Sequence, residues 1–166
     1  MLTDAQVTQF YSAGYLVVDD VLPCDVLGSV RAEYSDLLDS LYDRWSAEGR
    51  VPDGRDMDFW AKLSASYAAG CDWFQPMDIS LPGGEIAPDT PMHFGPAIFD
   101  LVMHERILDL AEALIGPELT LNPIQHVRIK PPSPQLGADE TRAHITRTDW
   151  HQDRAVGLEE ADQTDM

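Results

Sequence analysis

The chain is poor in positive charge, in cysteine and in long apolar runs, and each shortage removes a class of function. Its 166 residues carry 11 lysines and arginines against 29 aspartates and glutamates, giving a formal net charge of -18. The resulting field repels phosphate backbones and anionic lipid headgroups, so neither nucleic acid nor a membrane surface is an expected partner. The 2 cysteines, Cys24 and Cys71, lie far apart and form no Cys-x-x-Cys pair. Neither a zinc clip nor a disulfide framework is therefore indicated, and a reducing compartment fits best. No stretch approaches the ~20 apolar residues of a membrane span. The start, Met1-Leu2-Thr3-Asp4-Ala5-Gln6, lacks the basic and apolar segments of a secretory signal, so a soluble cytoplasmic protein is expected. Also missing are the Gly-x-Ser-x-Gly nucleophile turn, the Gly-x-x-x-x-Gly-Lys phosphate loop and the His-Glu-x-x-His zinc helix.

What remains is ordinary globular material: 44% hydrophobic and 24% charged, enough for one domain over residues 1–166. Thr3 and Gln6 have the spacing of a capping box. Val7, Phe10 and Tyr11 then follow at helical intervals until Gly14 offers a stop. Tyr15-Leu16-Val17-Val18 reads as a short buried strand. Pro23 opens a second helix whose stripe is Leu27, Val30, Tyr34, Leu37, Leu41 and Trp45, with Arg31, Glu33, Asp36 and Asp39 on other faces.

From Glu48 to Gly95 the periodicity gives way to Gly, Pro and Asp punctuation with scattered aromatics. Two readings stand for this interval: a lid or substrate-access region, or an insertion whose aromatics anchor it to the core. Helical spacing resumes at Pro96 and closes at Gly116-Pro117. Leu119 to Lys130 alternates like a strand, with Leu121, Gln125, Val127 and Ile129 on one side and His126, Arg128 and Lys130 on the other. That polar side either lines a cavity or faces solvent.

The most pointed pattern is Trp150-His151-Gln152-Asp153. In an extended segment, residues two apart project the same way, so the imidazole of His151 and the carboxylate of Asp153 can close on one metal ion. Two imidazoles and one carboxylate on one face of an octahedron are the ligands of many non-haem iron(II) oxygenases, with three positions left for co-substrate and dioxygen.

Three segments occur in matching order and spacing: Phe10-Tyr11-Ser12-Ala13-Gly14-Tyr15-Leu16-Val17-Val18, Gln125-His126-Val127-Arg128-Ile129-Lys130-Pro131-Pro132, and Trp150-His151-Gln152-Asp153. Together they resemble the phytanoyl-CoA dioxygenase family of iron(II)- and 2-oxoglutarate-dependent oxygenases. The resemblance implies a mainly β, α+β fold: a double-stranded β-helix, or cupin-like jelly roll, with amino-terminal helices packed outside. It implies iron ligation by His151 and Asp153. His126 and Lys130, on a strand that lies beside 2-oxoglutarate in the family, become candidates for contacting that co-substrate or for structural contacts. Gln125 and Arg128 are left unassigned. The expected reaction is hydroxylation of a small organic or acyl substrate by dioxygen.

The family's distal histidine and 2-oxoglutarate-binding arginine have no counterpart after Asp153. The chain is therefore expected to be the amino-terminal part of such a domain and inactive alone, unless His93, His104, His144 or a second chain supplies the missing ligand. The alternative is a non-catalytic binding or interaction module that keeps only the beginning of the fold.

Overall fold

Helix α1 (Asp4–Ala13) forms where its local signals place it. The Thr3 side chain accepts from the Gln6 amide at 3.3 Å, and Gln6 Oε1 accepts from the Thr3 amide at 2.9 Å, completing the capping box. Gly14, at φ 79, ends the helix by donating its amide to the Phe10 carbonyl at 2.8 Å. Thr3→Ala removes one half of this reciprocal cap. A loss of about 1 kcal/mol is expected, seen as a lower denaturant midpoint with an unchanged slope.

The computed structural model describes residues 2–71, 93, 95–121, 127, 129–132, 138, 139 and 146. The chain divides into two units, Met1–Val127 and Arg128–Met166. The first contains, after α1, helices α2 (Cys24–Ala47), α3 (Phe59–Ala68), α4 (Pro96–Val102) and α5 (Glu105–Ile115). Helix α2 is its axis and packs against both α3 and α4, while α4 also meets α5.

The buried positions of α2 are Tyr34, Leu38, Leu41, Tyr42 and Trp45. The stripe read from the sequence shares Tyr34, Leu41 and Trp45 with this set. It misses Leu38 and Tyr42, both wholly buried, while Leu37, Leu27 and Val30 are only half-buried. The core face has rotated toward the i, i+4, i+8 row through 34, 38 and 42 because α2 is covered by two helices and not by one. Burying a Leu side chain of this kind contributes about 2 kcal/mol.

Helix α3 lies inside the interval that periodicity left irregular. Asp58 caps it by accepting from the Ala61 amide at 2.8 Å, and Leu63, Ser66 and Tyr67 are its buried residues. Ser66 interrupts the apolar pattern that would have announced the helix. It is accommodated because its hydroxyl donates to the Lys62 carbonyl at 2.8 Å. The single helical run expected after Pro96 is two helices. The break falls at Met103 and His104, where the His104 ring accepts from the Arg106 amide at 3.2 Å and caps α5.

The jelly-roll expectation does not hold for the described residues, which contain five helices and no strand. The first strand expected, Tyr15–Val18, sits between Gly14 at φ 79 and Asp20 at φ 55. No strand among the described residues pairs with it, and Tyr15 and Val17 face solvent. β-branched residues favour a strand only where a neighbouring strand and a core face exist to receive them. The described part of the Leu119–Lys130 segment, residues 119–121, 127, 129 and 130, is likewise outside any strand. Among the described residues, no helix is long and apolar enough to cross a membrane.

Candidate functional site

Of the four residues singled out for metal and co-substrate, Lys130 is described, whereas His126, His151 and Asp153 lie outside the described residues, as do Gln125, Arg128 and His144. Lys130 belongs to the second unit, is half-buried, and follows Ile129 into the Pro131-Pro132 pair, of which Pro131 is buried. Its Nζ donates to the Thr146 carbonyl at 2.5 Å. A main-chain acceptor 16 residues on therefore fixes where the ammonium points. A half-buried, directed ammonium suits a carboxylate partner, since a charge-assisted hydrogen bond gains strength as water is excluded.

In the first unit the structure gathers a second group of functional side chains. Glu33 Oε1 is 2.7 Å from His93 Nε2, and Glu33 Oε2 accepts from the Ala97 amide at 2.6 Å. Both side chains are largely covered, at 13% and 15% exposure. The Tyr34 ring meets the His93 ring edge to face, with centroids 5.6 Å apart. Because an ionised carboxylate only accepts, the His93 Nε2–H is the donor in this pair. Glu33 also meets the first turn of α4, where orphan amides and the helix dipole favour negative charge.

Glu33, off the apolar stripe of α2, is nonetheless largely covered, and so is His93. No local signal announces their meeting, since 60 residues separate them. A carboxylate orienting an imidazole is how metal-ligating and general-base histidines are commonly held. Here no third donor joins it: among the described residues, no group of three His, Cys, Asp or Glu side chains is gathered for a metal. The pair acts as a clasp that fastens the approach to α4 onto α2.

A third cluster surrounds Tyr42. Its hydroxyl donates to the Met57 thioether at 3.3 Å, and Lys62 Nζ lies 5.8 Å from the ring centroid while pairing with Asp39 at 2.7 Å. Burial pushes the Tyr42 hydroxyl above its ordinary 10.0, against the pull of Lys62. The folded state thus keeps a proton that the unfolded chain releases. The stability this represents is complete below pH 10 and is lost as pH rises through 10 toward the folded value. Wild-type protein should lose denaturant resistance between about pH 9 and 11 more steeply than Tyr42→Phe; parallel curves would contradict this.

Sequence reasoning missed the roles of Glu33, Leu38, Tyr42 and Lys62, and of these Leu38 and Tyr42, at i+4 and i+8 from Tyr34, had a periodic signal to find. Comparison of the chain with protein-family models, with curated proteins and with solved structures gives no match.

Proposed function

We propose that this chain is part of an iron(II)- and 2-oxoglutarate-dependent oxygenase that hydroxylates a small organic or acyl substrate, with His151 and Asp153 supplying two of the three iron ligands. The observation that carries the reading is the His151-Gln152-Asp153 triplet, in register with the Gln125–Pro132 and Phe10–Val18 segments. The donors fit the ion. A neutral imidazole nitrogen and a carboxylate oxygen are what divalent iron takes from a protein, and the carboxylate charge helps to retain it. When bound, iron with 2-oxoglutarate supplies the activation of dioxygen and the insertion of one oxygen atom into a C–H bond, with succinate as co-product.

The chain's own residues bind and orient. His151 and Asp153 would hold the metal through an imidazole nitrogen and a carboxylate oxygen. Lys130, its ammonium directed by the Thr146 carbonyl, takes an oxygen of the 2-oxoglutarate carboxylate through a charge-assisted hydrogen bond. His126 is assigned to the same co-substrate as a neutral donor. A cytoplasmic location completes the reading, because reducing conditions keep iron divalent.

The test uses full-length protein with iron(II), 2-oxoglutarate and a panel of acyl and small organic substrates. His151→Ala and Asp153→Ala are each expected to abolish substrate-stimulated succinate formation and to weaken metal binding measured by equilibrium titration. Lys130→Ala is expected to raise the 2-oxoglutarate concentration needed for half-saturation while leaving metal binding intact. Unchanged metal affinity in the His151→Ala, Asp153→Ala double variant would sink the assignment.

A further inference from the structure

Neither α1 nor α5 buries a residue fully. The Tyr11 hydroxyl donates to the Leu114 carbonyl, tying the carboxy-terminal ends of the two helices together. At their amino-terminal ends Gln6, Glu105, Arg106 and Asp109, with Asp19 and Asp20 of the segment following α1, line a surface cavity of about 410 Å³, four carboxylates against one guanidinium. Around the Tyr11 contact the apolar side chains remain in solvent: Tyr11 is 68% and Ile115 70% exposed. The chain leaving α1 adds Tyr15 at 62% and Val17 at 71%. Exposed apolar side chains gathered beside a polar rim suit a docking surface, and the Tyr11–Leu114 hydrogen bond brings Tyr11 beside the end of α5 that carries Ile115.

The rim is predominantly acidic. Residues 1–30 contain no lysine or arginine, and α5 contributes Glu105, Asp109 and Glu112. The base in these elements, Arg106, lines the cavity itself and donates to the Val21 carbonyl at 3.3 Å, leaving the lining net acidic. We propose that the α1–α5 face docks a basic amphipathic helix of a partner protein. Its apolar stripe covers Tyr11, Tyr15 and Ile115, and a lysine or arginine enters the acidic cavity. Charge chooses this occupant over a second copy of the chain. Two copies would bring matching acidic rims together, each on a body of net charge -18, whereas a basic helix gains attraction from the same field. The proposal is independent of the oxygenase reading.

The experiment measures fluorescence anisotropy of a labelled Leu/Lys peptide of about 18 residues with helical amphipathic spacing, against a scrambled peptide of the same composition, on the full chain. Saturable binding of the amphipathic peptide is expected. It should weaken at least about tenfold in Ile115→Asp and in Asp19→Asn combined with Asp109→Asn, and stay unchanged in Ala61→Asp, which adds charge on α3. Ile115 is exposed, so the change spares the core, and Tyr15→Ser provides a second apolar probe. Four results would overturn the proposal: equal binding of the scrambled peptide, which marks charge alone; indifference to Ile115→Asp; no binding to the full chain, which means that the chain covers the face itself; or a wild-type dimer in sedimentation that Ile115→Asp dissociates, which gives the face to a second copy.

Discussion

Glu33→Ala is expected to lower the unfolding free energy by about 2–4 kcal/mol, and the cost comes less from the bonds removed than from the donors left behind. The carboxylate receives His93 Nε2 at 2.7 Å and the Ala97 amide at 2.6 Å inside a site only 13–15% exposed. Truncation leaves an imidazole N–H and a helix-terminal amide without the acceptor that Glu33 supplied. Glu33→Gln should recover part of the loss. Its carbonyl can accept from one donor, but its amino group then points at the other. Denaturant midpoints of the three proteins, with hydrogen exchange at the Ala97 amide, measure the effect. Wild-type values in Glu33→Ala would show that the clasp contributes nothing.

Gly54→Ala should cost about 1–3 kcal/mol through the opposite mechanism, excess volume. A Cβ at this position would stand 2.5 Å from Tyr42 Cε1 and 2.7 Å from Cδ1, and 3.2 Å from Lys62 Cε. The lysine stem can move aside. The Tyr42 ring is wholly buried on α2, so relief requires a backbone shift of the loop that carries Met57. Thermal unfolding should show a drop of several degrees. The double variant Gly54→Ala, Tyr42→Leu should restore part of it, because a narrower side chain at 42 leaves room for the added methyl.

The first unit was legible where its cause is local. Thr3, Gln6 and Gly14 announce α1 within a dozen residues, and the stop at Gly116 closes α5 as read. It was illegible where the cause is distant. Whether Tyr15–Val18 becomes a strand depends on a partner strand, and no such partner occurs among the described residues. The choice of Leu38 and Tyr42 over Leu37 depends on two helices covering α2. The removal of Glu33 from solvent depends on a histidine 60 residues later. At the candidate metal site, the pattern of His151 and Asp153 is written in adjacent residues, but the acceptor that aims Lys130 is a carbonyl, and carbonyls carry no sequence signature.

The clasp between α2 and the approach to α4 also bears on how quickly the protein comes apart. It joins residues 60 and 64 positions apart, so its closure must wait until the intervening chain has been drawn in. α1 and α2, by contrast, are built from contacts a few residues long and can form early. A contact made after the folding barrier has been crossed governs the rate of leaving the native state and not the rate of reaching it. The Glu33–His93 pair is therefore a latch on unfolding, and its loss would shorten the lifetime of the native state while the refolding rate stays nearly the same.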